Sequence, residues 1–405
     1  MMIFRLGMIL AVTIYSANDG FAQEKTKPSP DISSPDVSSP VFSSKAPSTR
    51  VLTKDQWTQL DGSVERGLQW LATKQQGNGG FEAIPQGQPA ITAFCLMAFL
   101  AQGESPADGQ YRQSLSRAVE YIMAQQKDNG LIATIAPSGI PISRNVDHMR
   151  VGQTAVYNHA ISALALAEVY GQCNADQAQL LAPVIEKAIA ATLEMQKWGQ
   201  KAAHDVGGWR YLDELDFIKS DLSITGWQLM FLRSAQNAGF DVPQESIEAA
   251  VKYIENCFLN DSDRKVHGYA VGRRSSITRA MAGAGVLAMA HAGKHDSKEA
   301  LASGEWILQH DFSNYNADKP LYGSYWSPDR YHYGAVVCTQ AMFQLGGKYW
   351  EQFFPTLVKA VLANQQPNGS WPPEKFDRVY GSCYSTSLCI LSLSVPNQML
   401  PIFQR

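Results

Sequence analysis

One pattern recurs six times between Thr53 and the C-terminus: an amphipathic helix, a turn rich in Gly and polar residues, and a helix that is apolar on nearly every side. In the amphipathic helices, apolar residues follow three- and four-residue spacing, as at Val64, Leu68 and Leu71. The other helix type, as at 91–100, is apolar all round and must therefore be buried on all sides. A period of this size is typical of repeat architectures.

The alternation of two helix types predicts an all-α fold, an (α/α)6 toroid in which six amphipathic helices surround an inner ring of six buried ones. Because the same up-and-down connection reaches each inner helix, the inner helices should be parallel, with their N-termini at one mouth. Their positive dipole ends would favour an anionic group there. The inner helices are predicted at 91–100, 155–169, 222–232, 277–290, 335–345 and 385–395, and the weakest amphipathic pattern is at 300–309.

The N-terminal segment has a different composition. Arg5 precedes an apolar run at 6–15, and Gly20 and Ala22 are small residues at the −3 and −1 positions of a cut after Ala22. This predicts a signal peptide at 1–22 and export to the periplasm or the extracellular space, with an uncleaved anchor helix as the alternative. Residues 23–52 form a Pro- and Ser-rich linker that should be disordered, and 53–405 form the toroid.

Charge and hydropathy narrow the range of partners. The net charge is −3 and no segment carries a run of Lys or Arg, so a nucleic-acid partner has no support. After the N-terminal segment no apolar stretch is long enough to span a membrane, which predicts a protein that does not span one. The six cysteines show no Cys-x-x-Cys spacing, and they are predicted to be buried free thiols.

The turn at 365–371, Gln-x-x-x-Gly-x-Trp, is similar to the QW repeat of squalene–hopene and oxidosqualene cyclases, and looser versions lie at 75–81, 125–130 and 207–209. Tyr-His-Tyr at 331–333, leading into an apolar helix, resembles the protein prenyltransferase β subunits. The resemblance to the terpene cyclase and protein prenyltransferase superfamily covers about residues 55–400. It implies an (α/α)6 toroid with a central cavity suited to isoprenoid chains.

The sequence departs from the cyclase pattern at the catalytic acid. The Asp-x-Asp-Asp motif, whose central acid protonates the substrate alkene in those cyclases, is absent. The nearest acidic groups are Asp213, Asp216 and Asp221, and Asp221 stands at the entry of an inner helix. Asp221 is therefore the candidate catalytic residue of a diverged isomerase, and the alternative role for it is to cap the helix N-terminus.

The sequence also departs from the prenyltransferase pattern at the zinc site. In the prenyltransferase β pattern, zinc is bound through an Asp-x-Cys in one repeat and a His in the next. Here His332 and Cys338 come first, Cys383 follows, and no Asp-x-Cys precedes it. Since tetrahedral zinc needs three converging protein ligands, we predict no metal and no cofactor.

The first turns of the inner helices supply the candidate ligand-binding residues. Aromatic side chains there would cradle an apolar ligand. Arg273 and Arg274 would hold an anionic group, or else pair with Asp205, Asp213 or Asp216. The alternative role for His159 is that of an ordinary core histidine. The candidates are Tyr157, His159, Trp227, Arg273, Arg274, Tyr331, His332 and Tyr384.

The function predicted from these residues is binding of an isoprenoid-like or other apolar small molecule in the cavity, or of a protein partner, by an exported toroid. Two enzymatic alternatives remain open: a terpene-cyclase-type isomerase that uses Asp221, and a polysaccharide-active toroid that uses Asp213, Asp216, Asp221 and Arg210. Glycoside hydrolysis commonly needs a pair of carboxylates in an open cleft. A closed apolar cavity would favour the lipid, and an open groove lined with carboxylates would favour the sugar.

Overall fold

The computed structural model describes residues 51–137, 151–199, 201–212, 220–272, 277–316, 329–375 and 377–404. All of them belong to one compact unit, 44–405. The predicted signal peptide and nearly all of the predicted linker lie outside the described residues. The described part contains twelve α-helices and one antiparallel pair of short strands, β1 (Phe258–Asn260) and β2 (Lys265–His267).

The helices alternate between an outer and an inner layer. The outer helices are α1 (Lys54–Ala72), α3 (Arg112–Met123), α5 (Ala175–Lys197), α7 (Gln244–Asn256), α9 (Lys298–Gln309) and α11 (Gly347–Ala363). The inner helices are α2 (Ala90–Leu100), α4 (Val151–Tyr170), α6 (Leu222–Asn237), α8 (Arg279–His291), α10 (Tyr331–Leu345) and α12 (Gly381–Ser394). Each inner helix packs on the next, and α12 packs on α2, so the ring closes. The prediction of an (α/α)6 toroid is confirmed.

The burial of each helix follows from its apolar pattern. Every residue of α2 is buried, as expected for a helix without a polar face. On α3 only Leu115, Ala118, Val119 and Ile122 are buried, and they form one stripe. The stripe faces the inner ring, while the charged residues of the helix remain in water. The two helix types thus differ because one has neighbours on all sides and the other on one side only.

The turn at 365–371 joins the last repeat to the first. The Gln365 side-chain Nε2 donates to the Ser63 carbonyl of α1 at 2.8 Å and to the Gly369 carbonyl at 2.9 Å. Gly369 has a φ of 93°, and a Cβ there would lie 2.4 Å from the Arg66 carbonyl oxygen. Only glycine fits this close approach without strain.

Three other turns repeat the same bonding between neighbouring outer helices. In each turn a glutamine Nε2 donates both to a carbonyl of the next outer helix and to the carbonyl of a turn glycine. The pairs of acceptors are Ser114 and Gly79 for Gln75, Val184 and Gly130 for Gln126, and Ser246 and Gly207 for Gln196. The glutamines therefore hold the outer layer together around the ring.

The C-terminal residues cover the end of the ring where the inner helices finish. The Ile402 backbone N–H donates to Glu168 Oε2 near the end of α4, at 3.2 Å. Gln344, near the end of α10, donates through Nε2 to the Gln404 carbonyl at 3.0 Å. Ile402 and Phe403 are buried. The chain after α12 thus closes this end with apolar side chains.

Two further predictions concern the described part of the chain. All six cysteines are free, and only Cys173 among them is not fully buried, as the sequence predicts. None of the described helices combines the length and the apolar character needed to cross a membrane.

Candidate functional site

A cavity of about 410 Å³ lies at the N-terminal ends of the inner helices. Every inner helix contributes side chains from its first turns to the cavity wall. Representative lining residues are Ile91, Tyr157, Trp227, Met281, Tyr333 and Tyr384, one from each helix in order. The inner helices therefore run parallel and open on one mouth, as the repeat pattern predicts.

Aromatic rings form one continuous wall of the cavity. Trp227 stacks on Tyr333 with ring centroids 6.0 Å apart, and Phe94 meets Trp227 edge-on at 5.6 Å. Phe94 also contacts Tyr384 at 6.1 Å. These contacts link α2, α6, α10 and α12 across the mouth, so an apolar ligand would meet rigid ring faces and edges. Of the eight predicted ligand-binding residues, the structure brings Tyr157, Trp227 and Tyr384 together in this cavity.

Hydroxyl groups form a neutral chain on the same wall. Tyr157 donates its hydroxyl hydrogen to Ser223 Oγ at 2.8 Å, and Ser223 Oγ lies 3.0 Å from the Tyr333 hydroxyl. Burial raises the pKa of Tyr157 well above its usual range, and the neighbouring Tyr211 adds to the effect. Burial also raises the pKa of Tyr333. These phenols therefore stay neutral at any physiological pH.

Asp221 is fully buried in front of α6 and does not line the cavity. Its Oδ1 accepts the Ile224 backbone N–H at 3.0 Å, and its Oδ2 accepts Arg210 Nη1 at 2.5 Å. Burial raises the pKa of Asp221, and the Arg210 charge opposes that rise. Both oxygens have partners, which matches the capping alternative and gives no support to catalysis by Asp221. Asp213 and Asp216 lie outside the described residues.

A different carboxyl group, which the sequence analysis missed, does line the cavity. Asp377 is 3% exposed and lies in the connection that leads to α12. Its Oδ1 accepts Arg330 Nη1 at 2.6 Å. Burial raises the pKa of Asp377 to about 8, with Arg330 opposing the shift and the Glu374 carboxylate reinforcing it. Asp377 is therefore mainly neutral at pH 7.

Glu374, three residues earlier, caps an inner helix and does not line the cavity. Its Oε2 accepts the Tyr331 backbone N–H at 2.9 Å, and its Oε1 accepts the His332 backbone N–H at 3.4 Å. Burial favours the neutral acid, but hydrogen bonding and charge from His332 outweigh it and lower the pKa of Glu374. The two side chains of this connection are also hydrogen-bonded to each other, which raises the pKa of Asp377 and lowers that of Glu374, so the pair shares one proton, held on Asp377 and donated to Glu374.

Tyr331 and His332 are buried but do not line the cavity. Tyr331 donates its hydroxyl to the Phe312 carbonyl at 2.9 Å, and His332 Nε2 lies 2.8 Å from the Tyr315 hydroxyl. These bonds connect α10 with the end of the fifth repeat, so the two side chains sit between helices in the core.

His159 is also buried in the core outside the cavity lining. Its Nδ1 accepts the Ile132 backbone N–H at 3.1 Å, and its Nε2 lies 2.9 Å from Thr192 Oγ1. Burial lowers the pKa of His159 to about 3, so the ring is neutral. His159 is thus an ordinary core histidine, which was the alternative to its role in ligand binding. Arg273 and Arg274 lie outside the described residues, and no group of three or more metal-binding side chains occurs among the residues that are described.

No protein-family model and no curated protein matches the chain. Solved structures do match the chain. The type II terpene cyclase MstE from Scytonema matches with a TM-score of 0.52 and 14% identity, over 85% of this chain and 100% of that one. An alpha-1,6-mannanase of Salegentibacter sp. HEL1_6 matches with a TM-score of 0.55 and 12% identity, over 83% and 98%. A glycosidase matches with a TM-score of 0.54 and 9% identity, over 86% and 100%.

The chain has a terpene-cyclase-like α/α toroid fold. The matched proteins include both terpene cyclases and glycosidases, which act on unrelated substrates. At these identities the similarity shows the fold alone, and any function has to be argued from the site.

Proposed function

We propose that this protein binds an apolar, isoprenoid-like small molecule in its central cavity. The proposal is carried by the aromatic wall of Phe94, Trp227 and Tyr333 around a cavity of about 410 Å³. Pockets for small molecules commonly measure about 300–1,000 Å³ and are mostly apolar. An apolar chain that packs against these rings is removed from water. Each Å² of apolar area buried in this way contributes about 25 cal/mol of binding free energy.

The similar structures support the choice of ligand class. A variant of MstE was solved in complex with geranylgeranyl dihydroxybenzoate, at a TM-score of 0.52 and 12% identity to this chain. That ligand carries a long isoprenoid chain. The present toroid offers an apolar cavity of its own, and we infer a ligand with the same kind of chain.

The chemistry of Asp377 favours binding over the isomerase alternative. An alkene is a very weak base, so the acid that protonates it must be strong. Burial instead raises the pKa of Asp377 to about 8, which makes this carboxyl a weak acid and a good hydrogen-bond donor. Asp377 is also the sole carboxyl among the described residues of the cavity wall, whereas glycoside hydrolysis commonly needs two.

Trp227→Ala tests the proposed function. Removing the indole takes a large apolar surface away from the ligand, so we expect the purified mutant to bind the hydrocarbon farnesene roughly tenfold more weakly than the wild type. Isothermal titration and native mass spectrometry would measure this. The control is Trp198→Ala, because Trp198 is 42% exposed and does not line the cavity.

The proposal fails if the folded wild-type protein binds neither farnesene nor any other isoprenoid of 15 to 20 carbons. It also fails if lipid extraction of the native protein yields nothing while the protein cleaves polyuronates or mannans. A folded protein with an empty cavity that captures a protein partner would favour the other binding alternative.

Export is part of the same proposal. We expect cells that express the full chain to release a mature protein that begins at Gln23, because the signal peptide should be cut after Ala22. Intact-mass measurement of the protein from fractionated cells checks this. Retention of the sequence from Met1 in the cell pellet would contradict it and support the anchor alternative.

A further inference from the structure

Three tyrosines line the cavity beside the starts of α4 and α6. Tyr157 lies near the start of α4, Tyr211 in the connection before α6, and Tyr269 in the connection between β2 and α8. The Tyr157 and Tyr211 ring centroids are 6.1 Å apart, and the Tyr211 and Tyr269 hydroxyl oxygens are 2.6 Å apart. We call these three side chains the tyrosine cluster. The hydrogen bonds of their hydroxyl groups determine what the cluster offers to a ligand.

The Tyr269 hydroxyl is fully engaged by its neighbours. Its oxygen accepts Arg210 Nη1 at 2.6 Å, and the same nitrogen donates to Asp221 Oδ2. Burial raises the pKa of Asp221, and among the effects that oppose the rise is a hydrogen bond in which the Tyr269 hydroxyl donates to the carboxylate. Because the hydrogen of Tyr269 goes to Asp221, Tyr269 can only accept from Tyr211. Tyr211 is therefore the donor in the bond between the two tyrosines.

The Tyr211 hydroxyl thus presents an acceptor to the cavity. Its single hydrogen is bonded to Tyr269, and no donor bonds its oxygen within the described part of the chain. Burial is the main cause of the raised pKa of Tyr211, and the bond to Tyr269 adds to it, as expected where Tyr211 donates. Tyr157 also gives its hydrogen away, to Ser223. Both phenol oxygens keep lone pairs for a hydrogen-bond donor on a ligand.

The charge behind the tyrosine cluster indicates which donor fits. The Arg210 guanidinium carbon lies 3.8 Å from the centroid of the Tyr211 ring, where Arg210 pairs with Asp221. An ammonium group at the Tyr211 oxygen would be close to this positive charge in a poorly solvated place. A carboxylate has no hydrogen to donate at neutral pH. A hydroxyl group donates a hydrogen bond without carrying a charge.

We propose that the tyrosine cluster recognises a hydroxyl group on an otherwise apolar ligand, with the Tyr211 oxygen accepting its hydrogen. The hydrocarbon part of the ligand packs on the aromatic wall of Phe94, Trp227 and Tyr333. Tyr269 is a positioning residue, since it fixes the direction of the Tyr211 hydrogen. This inference rests on the proposed function and deepens it, because it names the ligand class as an isoprenoid alcohol.

The test compares farnesol with farnesyl methyl ether, because both carry one oxygen at the same end of the chain and only farnesol can donate a hydrogen bond. Isothermal titration measures both affinities, and farnesene binding checks that each variant keeps its apolar cavity. We expect Tyr211→Phe to lower the ratio of the farnesol affinity to the ether affinity roughly fivefold. The alcohol loses its acceptor, whereas the ether loses no bond.

Tyr269→Phe should lower the same ratio for the opposite reason. It removes the group to which Tyr211 donates, so the Tyr211 hydrogen becomes available to the ether oxygen. We expect the ether affinity to rise roughly fivefold, whereas farnesol, which can donate or accept, changes much less. A merely structural role of the hydroxyls would not strengthen the binding of any ligand. Tyr170→Phe, at the last residue of α4 and outside the cavity lining, is the matched control and should leave the ratio unchanged.

The outcomes separate the two proposals. An unchanged ratio in a Tyr211→Phe variant that still binds farnesene overturns the hydroxyl site and leaves the proposed function intact. If Tyr211→Phe does not fold, Tyr157→Phe gives a second measurement, with a decrease of roughly threefold expected and no decrease overturning the site. A weaker affinity of Tyr269→Phe for the ether overturns the direction assigned to the bond. A larger effect of Tyr211→Phe on farnesylamine than on farnesol overturns the choice of a neutral donor. No binding of any of these compounds by the folded wild type overturns the proposed function itself.

Discussion

Replacing Trp371 with Ala is expected to lower the free energy of unfolding by about 3–5 kcal/mol. The Trp371 indole is fully buried and donates its Nε1–H to the Val361 carbonyl at 2.8 Å. A Cβ on Gly67 would lie 2.9 Å from the indole ring, so this ring fills the space between α1 and the last repeat. Its loss leaves a void where the two ends of the ring meet. Urea denaturation followed by circular dichroism measures the change.

Trp198→Ala is the control for this experiment. Trp198 is 42% exposed, and we expect its removal to cost less than about 1 kcal/mol. Trp209 forms the same kind of bond, from Nε1–H to the Thr192 carbonyl at 2.8 Å, so Trp209→Ala should resemble Trp371→Ala. If Trp371→Ala and Trp198→Ala were equally stable, the buried indoles would not hold the repeats together.

The second large effect depends on pH and concerns Glu168. This carboxyl is 1% exposed, and burial raises its pKa from 4.5 to about 7, although bonds from Ser234 and Ile402 oppose the shift. The unfolded chain releases this proton near pH 4.5 and the folded chain near pH 7, so Glu168 lowers stability as pH rises between these values. Glu168→Gln removes this loss. We expect the mutant to gain about 2–3 kcal/mol over the wild type between pH 5 and pH 7.5.

The measurement is the difference in free energy of unfolding between the mutant and the wild type at the two pH values. Comparing differences cancels the contribution of other buried groups such as His159, whose folded pKa is lowered and which acts in the opposite direction. Glu186→Gln, on the exposed face of α5, should change stability by less than about 0.5 kcal/mol at either pH. A difference for Glu168→Gln that does not grow with pH would show that Glu168 is ionised in the folded protein.

The sequence predicts the fold well because the apolar pattern of each helix determines which of its faces are buried. A helix such as α2, with no polar face, has to be surrounded, and α3, with one apolar stripe, can lie only on the outside. Six such pairs leave few arrangements other than two closed layers. The same reasoning places Tyr157, Trp227 and Tyr384 at the mouth, since each follows the start of an inner helix.

The sequence does not distinguish the polar residues that face the cavity from those that hold helices together. Asp221 and Asp377 occupy similar places, each in the connection that leads from an outer to an inner helix. Asp221 caps the N-terminus of α6 and pairs with Arg210, whereas Asp377 lines the cavity and bonds Arg330 and Glu374. The difference depends on how each connection folds, and no periodicity governs that.

The sequence nevertheless contains a weak indication that an acid near Asp377 is protonated. Glu374 and Asp377 stand three residues apart just before a run of aromatic and small residues that begins an inner helix. Two carboxyl groups in one buried connection cannot both be ionised at low cost, so one of them should keep its proton. The sequence could thus have indicated a neutral acid at this position, although it could not have shown which of the two holds the proton.

Residues 395–404 close the end of the ring where the inner helices finish, so a ligand would have access to the cavity from the opposite end. If the cavity holds the proposed apolar ligand, a chain-shaped molecule would enter it end-on from the mouth at which the inner helices begin. Binding and release of such a ligand would then both proceed through this mouth.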